Sequence, residues 1–367
     1  MKTFDVGRRL RPSGSKESLS ANASGAPPDQ KLPLTDRFPG LWVGIIVLLA
    51  IAVYTVIVPH GRFLTVSNLS NIGVSSSEIL IMGTAMTYLL VAGGIDLSVG
   101  SNLVFSSVLA ALTITHLAGT PAQVRNYDFP HQTIALIIGC VVALAAGTGV
   151  GLVNGWLISY QRMPAFIATL GMNGVTLGLA YVFTGGQNAP YVPSSIQSDF
   201  GDLTVGGVPI VLVTSLIIAG IGWVFLARTR FGIATYAIGA SSQAARRAGI
   251  NVRRHMLGLY AISGLCAGIA AIVDLAQFTS TSIDGHQSDM LLAITAVILG
   301  GTSLFGGWGG MGGTIIAVFF PSILYNGFIQ LGLQPYWQGV VLGLVLIVAI
   351  WTDSFRRRRR TGGDEER

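Results

Sequence analysis

Charge is scarce in this sequence: Asp, Glu, Lys and Arg make up 10% of its 367 residues, against 51% hydrophobic residues. Soluble domains carry about 25% charged residues, and a mean hydropathy of +0.64 excludes an ordinary water-soluble fold of this length. Lysine is nearly absent. Lys2, Lys16 and Lys31 are the only ones and all lie near the N-terminus, so there is no G-x-x-x-x-G-K-[ST] phosphate loop and the chain cannot bind and hydrolyse ATP through one. Cysteine is limited to Cys140 and Cys266, both inside apolar runs, where they read as small core hydrophobes rather than a disulfide or metal framework. The histidines His60, His116, His131, His255 and His286 are scattered, and neither G-x-S-x-G nor H-E-x-x-H occurs. An intramembrane enzyme, which needs a convergent nucleophile and base, is therefore disfavoured, and no cofactor or metal is expected in this chain.

What the sequence has instead is ten hydrophobic stretches: 41–58, 72–92, 99–118, 133–158, 164–183, 208–226, 256–276, 291–304, 313–332 and 337–352. Most reach the ~20 residues that a helix needs to cross a bilayer. The expected fold is all-α, a polytopic membrane protein of about ten transmembrane helices. Threading from a cytoplasmic N-terminus leaves only Arg62 and Arg125, of 22 basic residues, on the outer side. Basic loops resist translocation, so this asymmetry supports the helix count and predicts that both termini are cytoplasmic. The net charge of +6 is then a signal of topology and not a nucleic-acid footprint. The arginines from Arg356 to Arg360 follow a spanning segment directly, which reads as a stop-transfer anchor at anionic lipid headgroups.

Residues 1–40, rich in Ser, Gly, Pro and charge, predict a cytoplasmic tail that cannot bury a core. A signal peptide would set its apolar region closer to Met1, so the helix from 41 onward is expected to be retained. Residues 41–352 form the membrane domain and 353–367 a basic tail. The outer loops 119–132, 184–207 and 277–287 carry Asp128, Asp199, Asp202 and Asp284 and are long enough to form short helices that receive a partner. The longest inner loop, 227–255, predicts a basic helix over 243–248, capped by Ser241 or Ser242 and ended by a left-handed Gly249.

Three glycine features stand out. Gly147, Gly151 and Gly155 recur at four-residue spacing, which lets a neighbouring helix approach closely, and Gly264 and Gly268 offer a second, weaker instance. The run G-G-I-D-L-S-V-G-S at 93–101 interrupts apolar sequence with glycines, an acid and hydroxyls, a break tolerated in membranes where the freed backbone lines a cavity or is covered by protein. The run L-G-G-T-S-L-F-G-G-W-G-G-M-G-G-T at 299–314 falls at a comparable turn. Within it Gly307, Gly309 and Gly312 have G-x-G-x-x-G spacing, but no strand precedes them and tight turns explain them better than a dinucleotide.

Taken in order, G-G-I-D-L-S-V-G-S, A-I-G-A-S-S-Q-A-A-R-R-A-G-I and I-L-G-G-T-S-L-F-G-G resemble the permease subunits of ATP-binding-cassette (ABC) importers for monosaccharides. This is the ribose-type branch, whose relatives also handle xylose, galactose, inositol-like and autoinducer sugars. The resemblance covers 72–352 and implies the ABC importer permease fold in a bacterial inner membrane. It implies cytoplasmic ATPase subunits that bind ATP and Mg, an extracytoplasmic sugar-binding protein, and a second permease copy or a sister permease. Gly93, Gly94, Asp96, Leu97, Ser98 and Gly100 match the first motif. Ala244, Ala245, Arg246, Gly249 and Ile250, with Gln243 before them, match the helix that docks on the ATPase. Gly300, Gly301, Thr302, Ser303, Gly306 and Gly307 match the last motif. Relatives commonly carry E-L-D where this chain has Met290, Leu291 and Leu292, with Asp289 one place early, and an acid where it has Ser242 or Gln243. The sugar and the accepted ATPase stay open on that account.

Individual polar residues admit two readings. Asp96 either faces the permeation path or, with Ser98, caps the helix that begins at Val99. Asn102, Asn154, Asn173, Asn326 and Gln330 either line a path for a neutral sugar or make interhelical hydrogen bonds. Glu78 and Asp274 are expected to reach water at the outer ends of their helices, with no facing base to make a proton relay. The alternative function is an ion-coupled secondary transporter with a broken-helix site at 93–101.

Overall fold

The computed structural model describes residues 39–361 apart from 190, 282, 287 and 335. Its helices are α1 (Pro39–Ile57), α2 (Val66–Val91), α3 (Val99–Ala118), α4 (Pro121–Arg125), α5 (Gln132–Ser159), α6 (Ala165–Thr184), α7 (Ile210–Arg228), α8 (Arg230–Ala240), α9 (Ser242–Arg247), α10 (Val252–Phe278), α11 (Asp289–Leu299), α12 (Met311–Ala317), α13 (Phe319–Gln330) and α14 (Tyr336–Thr361). A two-residue hairpin, β1 (Thr204–Val205) with β2 (Val208–Pro209), pairs antiparallel with Val205 opposite Val208. Among the described residues eight segments are long and apolar enough to span a membrane, and two shorter apolar helices, Trp42–Ile57 and Asp289–Leu299, correspond to the other two of the ten apolar runs.

Three boundaries differ from the hydrophobic runs. α2 begins at Val66, where the Thr65 side chain accepts the Asn68 N–H, and so includes polar residues that a hydropathy reading leaves out. α11 ends at Leu299, because Gly301 takes a left-handed φ of 90° and turns the chain. The run 313–332 is broken between α12 and α13, since Pro321 has no N–H for the Ala317 carbonyl. Most of residues 1–40 and the end of the C-terminal tail lie outside the described residues.

α2 forms the centre. Of its apolar stretch 89% is buried, against 6% for α14 at the edge. A helix so placed must satisfy its polar side chains internally. Ser76, Ser77, Thr84 and Thr87 do so by donating to the carbonyls of Ile72, Gly73, Leu80 and Gly83 at 2.7–2.8 Å. The Thr87 hydroxyl also meets that of Thr314 on α12 at 2.9 Å. Around α2 pack α7, α10, α11, α12 and α13.

The closest helix pair is α5 with α10, and its seam is made of glycine from both sides. A Cβ on Gly151 would lie 2.2 Å from the Tyr260 carbonyl oxygen, and one on Gly264 would lie 2.1 Å from that of Gly147. The two glycine spacings are thus opposite faces of one interface. Outward from this core the peripheral helices present Ile137 and Val141 on α5, Phe166 and Leu170 on α6, Ile221 and Val224 on α7, and Leu344 and Ile347 on α14, all exposed. Such a girdle of exposed aliphatic and aromatic residues is stable in lipid and not in water. The protein is a multi-pass membrane protein.

Candidate functional site

Both glycine-rich motifs and the basic loop meet at one end of the bundle. The Gly307 N–H donates to the Val91 carbonyl at 2.8 Å, and the Tyr236 hydroxyl donates to the Gly309 carbonyl at 2.8 Å. Between them sits Gly239 of α8, where a Cβ would fall 1.9 Å from the Val91 oxygen and 2.4 Å from the Gly307 nitrogen. Only glycine fits there. Gly93 and Gly306 turn with φ of 76° and 86°, and a Cβ on Gly306 would sit 2.9 Å from the Gly93 nitrogen. Gly300 packs in the same way against Gly313. Asp353 of α14 accepts from the Ser303 hydroxyl at 3.2 Å and from the Leu304 N–H at 3.1 Å. The first and last motifs, more than two hundred residues apart in sequence, therefore form a single joint with α8 wedged into it.

α9 projects from that joint. Ser241 caps it, its hydroxyl accepting from the Ala244 N–H at 3.3 Å, and Gly249 leaves it with φ 85°. The Ala245 side chain turns inward and packs with Ile238 and Val252. Gln243, Ala244, Arg246, Arg247 and Gly249 are exposed, as are Arg228, Arg230, Arg253 and Arg254 around them, while Ile250 is half-buried. Of the residues matching the docking motif, Ala245 therefore seats the helix and its neighbours present a surface. One residue separates α9 from α8, so a push on α9 reaches Gly239 through one short helix.

Near this end Asp96 is 1% exposed. Its Oδ1 accepts from the Ser98 N–H at 2.9 Å and the Ser98 hydroxyl at 2.7 Å, and its Oδ2 accepts from the Ser263 hydroxyl of α10 at 2.7 Å. Asn154 Nδ2 donates to the Ser98 hydroxyl at 2.8 Å. Asn102 Nδ2 donates to the Gly147 carbonyl at 3.1 Å, beside the glycine seam. The structure thus brings Asp96, Ser98 and Asn154 together in a buried bracket linking the first motif to α5 and α10. Ser98 precedes α3 but makes no side-chain cap. Truncating Asp96 to Ala removes the acceptor from three buried donors, each of which costs about 1–3 kcal/mol when unpaired. Asp96→Ala is expected to lower the thermal midpoint sharply, and Asp96→Asn, which keeps one acceptor oxygen, to lower it less.

A second polar cluster lies toward the other end. Glu78 and Asp274, expected to reach water, are instead 6% and 0% exposed. The reason is His286, which stands between them. Its Nε2 is 2.9 Å from Asp274 Oδ1, and its Nδ1 is 2.7 Å from Asp289 Oδ2 and 3.6 Å from Glu78 Oε2. The Ser107 hydroxyl donates to Asp274 Oδ2 at 3.0 Å. Burial disfavours the imidazolium, but the hydrogen bonds to Asp274 and Asp289 outweigh it and raise the His286 pKa to about 11. The facing base that sequence reasoning missed comes from the loop before α11, and its only local signal is the His286-to-Asp289 spacing at a helix start.

His286 also separates two cavities. The smaller, about 120 Å³, is lined by Gly100, Ser101, Asn173 and Met290 among others. The larger, about 450 Å³, has Glu78, Asp289, Gln277, Gln338, Tyr325 and Tyr336 in its wall. Of the expected path residues, Asn173 borders the smaller of these two cavities. Asn326 and Gln330 bond to each other along α13 at 3.4 Å and border neither.

Residues 68–350 match the family described as the branched-chain amino acid transport system permease component. Among individual proteins, the ribose import permease protein RbsC of Escherichia coli is 33% identical over 314 residues, covering 84% of this chain and 92% of that protein. The galactose/methyl galactoside import permease protein MglC of Salmonella typhimurium is 32% identical over 330 residues, covering 88% and 95%. The probable ABC transporter permease protein y4mJ of Sinorhizobium fredii is 31% identical over 318 residues, covering 86% and 89%. No solved structure matches the chain. With nearly the whole membrane domain aligned to import permeases, the chain belongs to this family of ABC transporter permeases, transport subunits rather than enzymes.

Proposed function

We propose that this chain is the permease subunit of an ABC importer that carries a monosaccharide or related small polyol across the bacterial inner membrane. The observation that carries this reading is the joint just described, in a chain whose relatives are named for ribose and galactose import. A basic, exposed α9 bears on both glycine motifs through α8, an arrangement for receiving force from a separate protein. ATP and Mg would be held by partner ATPase subunits, and the sugar delivered by an extracytoplasmic binding protein. A second permease copy or a sister permease completes the membrane part. The alternative of an ion-coupled carrier gives α9 no task. It would also need the motif at 93–101 to offer open ligands, whereas both Asp96 oxygens are taken up by Ser98 and Ser263.

In cells that produce this chain with its ATPase and binding protein, uptake of labelled pentoses and hexoses should fall to background when either partner is omitted. Uptake that survives loss of the ATPase would overturn the proposal. The orientation is tested separately. A cysteine at Arg247 should react with a membrane-impermeant maleimide only in inside-out vesicles, and one at Asp128 only in right-side-out vesicles. The reverse pattern would invert the topology, with α9 facing away from any cytoplasmic ATPase.

A further inference from the structure

We propose that Glu78, His286 and Asp289 form a binding site for a divalent first-row transition-metal cation of the Zn²⁺ type. The three side chains each offer a ligand atom within 4.8 Å of the others. Metal–ligand distances of about 2.0–2.2 Å place neighbouring donor atoms roughly 3–3.6 Å apart. The 3.6 Å between His286 Nδ1 and Glu78 Oε2 already meets this spacing, and the 2.7 Å to Asp289 Oδ2 needs only a small opening.

Four further features point the same way. First, the other ring nitrogen of His286 is held by the fully buried carboxylate of Asp274, itself fixed by Ser107. Metal-ligating imidazoles are oriented by an outer carboxylate of this kind, which directs the opposite nitrogen at the cation. Second, Glu78 Oε1 is buried and has no hydrogen-bond partner among the described residues. That is costly for an ionised carboxylate, and a cation beside it would offset the cost. Third, the carboxylates of Glu78, Asp274 and Asp289 face a single imidazole, that of His286. A divalent cation that displaces the Nδ1 proton adds one net positive charge to this anionic pocket and releases one proton. Fourth, the 450 Å³ cavity on which Glu78, His286 and Asp289 border gives a route in and room for water ligands. A nitrogen ligand with carboxylates selects Zn²⁺, Co²⁺ or Mn²⁺ over Mg²⁺ and Ca²⁺, which prefer all-oxygen shells. Bound there, the cation would tie α2 to α11 and, through Asp274, to α10, at the end of the bundle opposite α9.

The test uses the full-length permease in lipid nanodiscs, purified on a histidine-free tag, with Co²⁺ as the probe. Equilibrium dialysis and visible absorbance should show saturable binding of one Co²⁺ per chain, displaced by Zn²⁺ and not by excess Mg²⁺. Glu78→Gln and Asp289→Asn should each weaken binding at least ~10-fold, and Asp274→Asn by about 10–100-fold, as loss of an outer partner does. Zn²⁺ should also raise the thermal midpoint of the unaltered protein in a concentration-dependent way, a readout that needs no variant to fold. Absence of saturable Co²⁺ binding and of the thermal shift would overturn the proposal, as would full affinity in His286→Ala. None of these outcomes depends on which solute is carried.

Discussion

Gly239→Val is expected to reduce ATP-driven uptake about 30-fold or more while leaving the ATPase bound to the permease. The side chain would have to enter a space in which even a Cβ lies 1.9 Å from the Val91 oxygen. α8 would be pushed off the joint where the 92–98 and 300–310 turns meet. The surface proposed to dock the ATPase lies on α9, beyond Ser241, and is unaltered. Substitutions on that surface should act the other way. Ala244→Glu together with Arg247→Glu would put acids on an exposed basic face and weaken ATPase association by the amount that truncation of an interface hot spot gives, ~2 kcal/mol or about 30-fold, enough to lose the ATPase on copurification. Copurification of the ATPase separates the two cases. Transport lost with the ATPase retained marks failure of transmission, and transport lost with the ATPase gone marks failure of docking. Normal uptake by Gly239→Val would remove α8 from the route.

Gly264→Leu and Gly151→Val should prevent stable folding altogether. In the α5–α10 seam the backbones themselves are the contact surface, and a Cβ on either residue would lie within 2.2 Å of a carbonyl oxygen of the facing helix. Overpacking a core by a methylene or two costs about 1–3 kcal/mol when side chains can shift. Here backbone meets backbone, so relief requires separating the helices, which would also pull Asn102 from the Gly147 carbonyl. A fall in thermal midpoint well beyond 5 °C and loss of the monodisperse purified protein are the expected results. Gly149 lies on the same helix with nothing within 4 Å of an added Cβ. Gly149→Ala should stay within about 0.5 kcal/mol of the unaltered protein, as surface changes do. Equal damage from both positions would mean that close approach at the seam does not set the cost.

The parts of this structure legible in sequence are those set by local physics. Apolar run length located the eight helices long enough to span a membrane and two shorter apolar ones, because each helix must satisfy its own backbone in lipid. The asymmetry of arginine predicted a topology that puts the α8–α9 loop and both glycine turns at the same end. The cap at Ser241 and the left-handed Gly249 followed from side-chain and backbone chemistry confined to a few residues. Pairings across the chain were not legible. Gly147, Gly151 and Gly155 announced a close contact but not that Gly264 and Gly268 would supply its other half. Nothing near Glu78 or Asp274 marked them for burial, because their partner, His286, belongs to a loop that only the folded bundle brings over them. Ala245 read as part of a docking surface, and its inward turn depends on Ile238 and Val252 closing beneath it. Asp289, out of step with the acidic pattern of the sugar permeases that the chain resembles, gained its meaning from the same histidine.

The central claim is that this permease moves solute only when a separate ATPase drives it through α9. It is tested most directly by measuring sugar accumulation in proteoliposomes. With the binding protein outside and the ATPase and ATP on the α9 side, the labelled sugar should accumulate against its gradient, and accumulation should cease when ATP is replaced by a non-hydrolysable analogue. Concentrative uptake by the permease alone under a proton or sodium gradient would contradict the account.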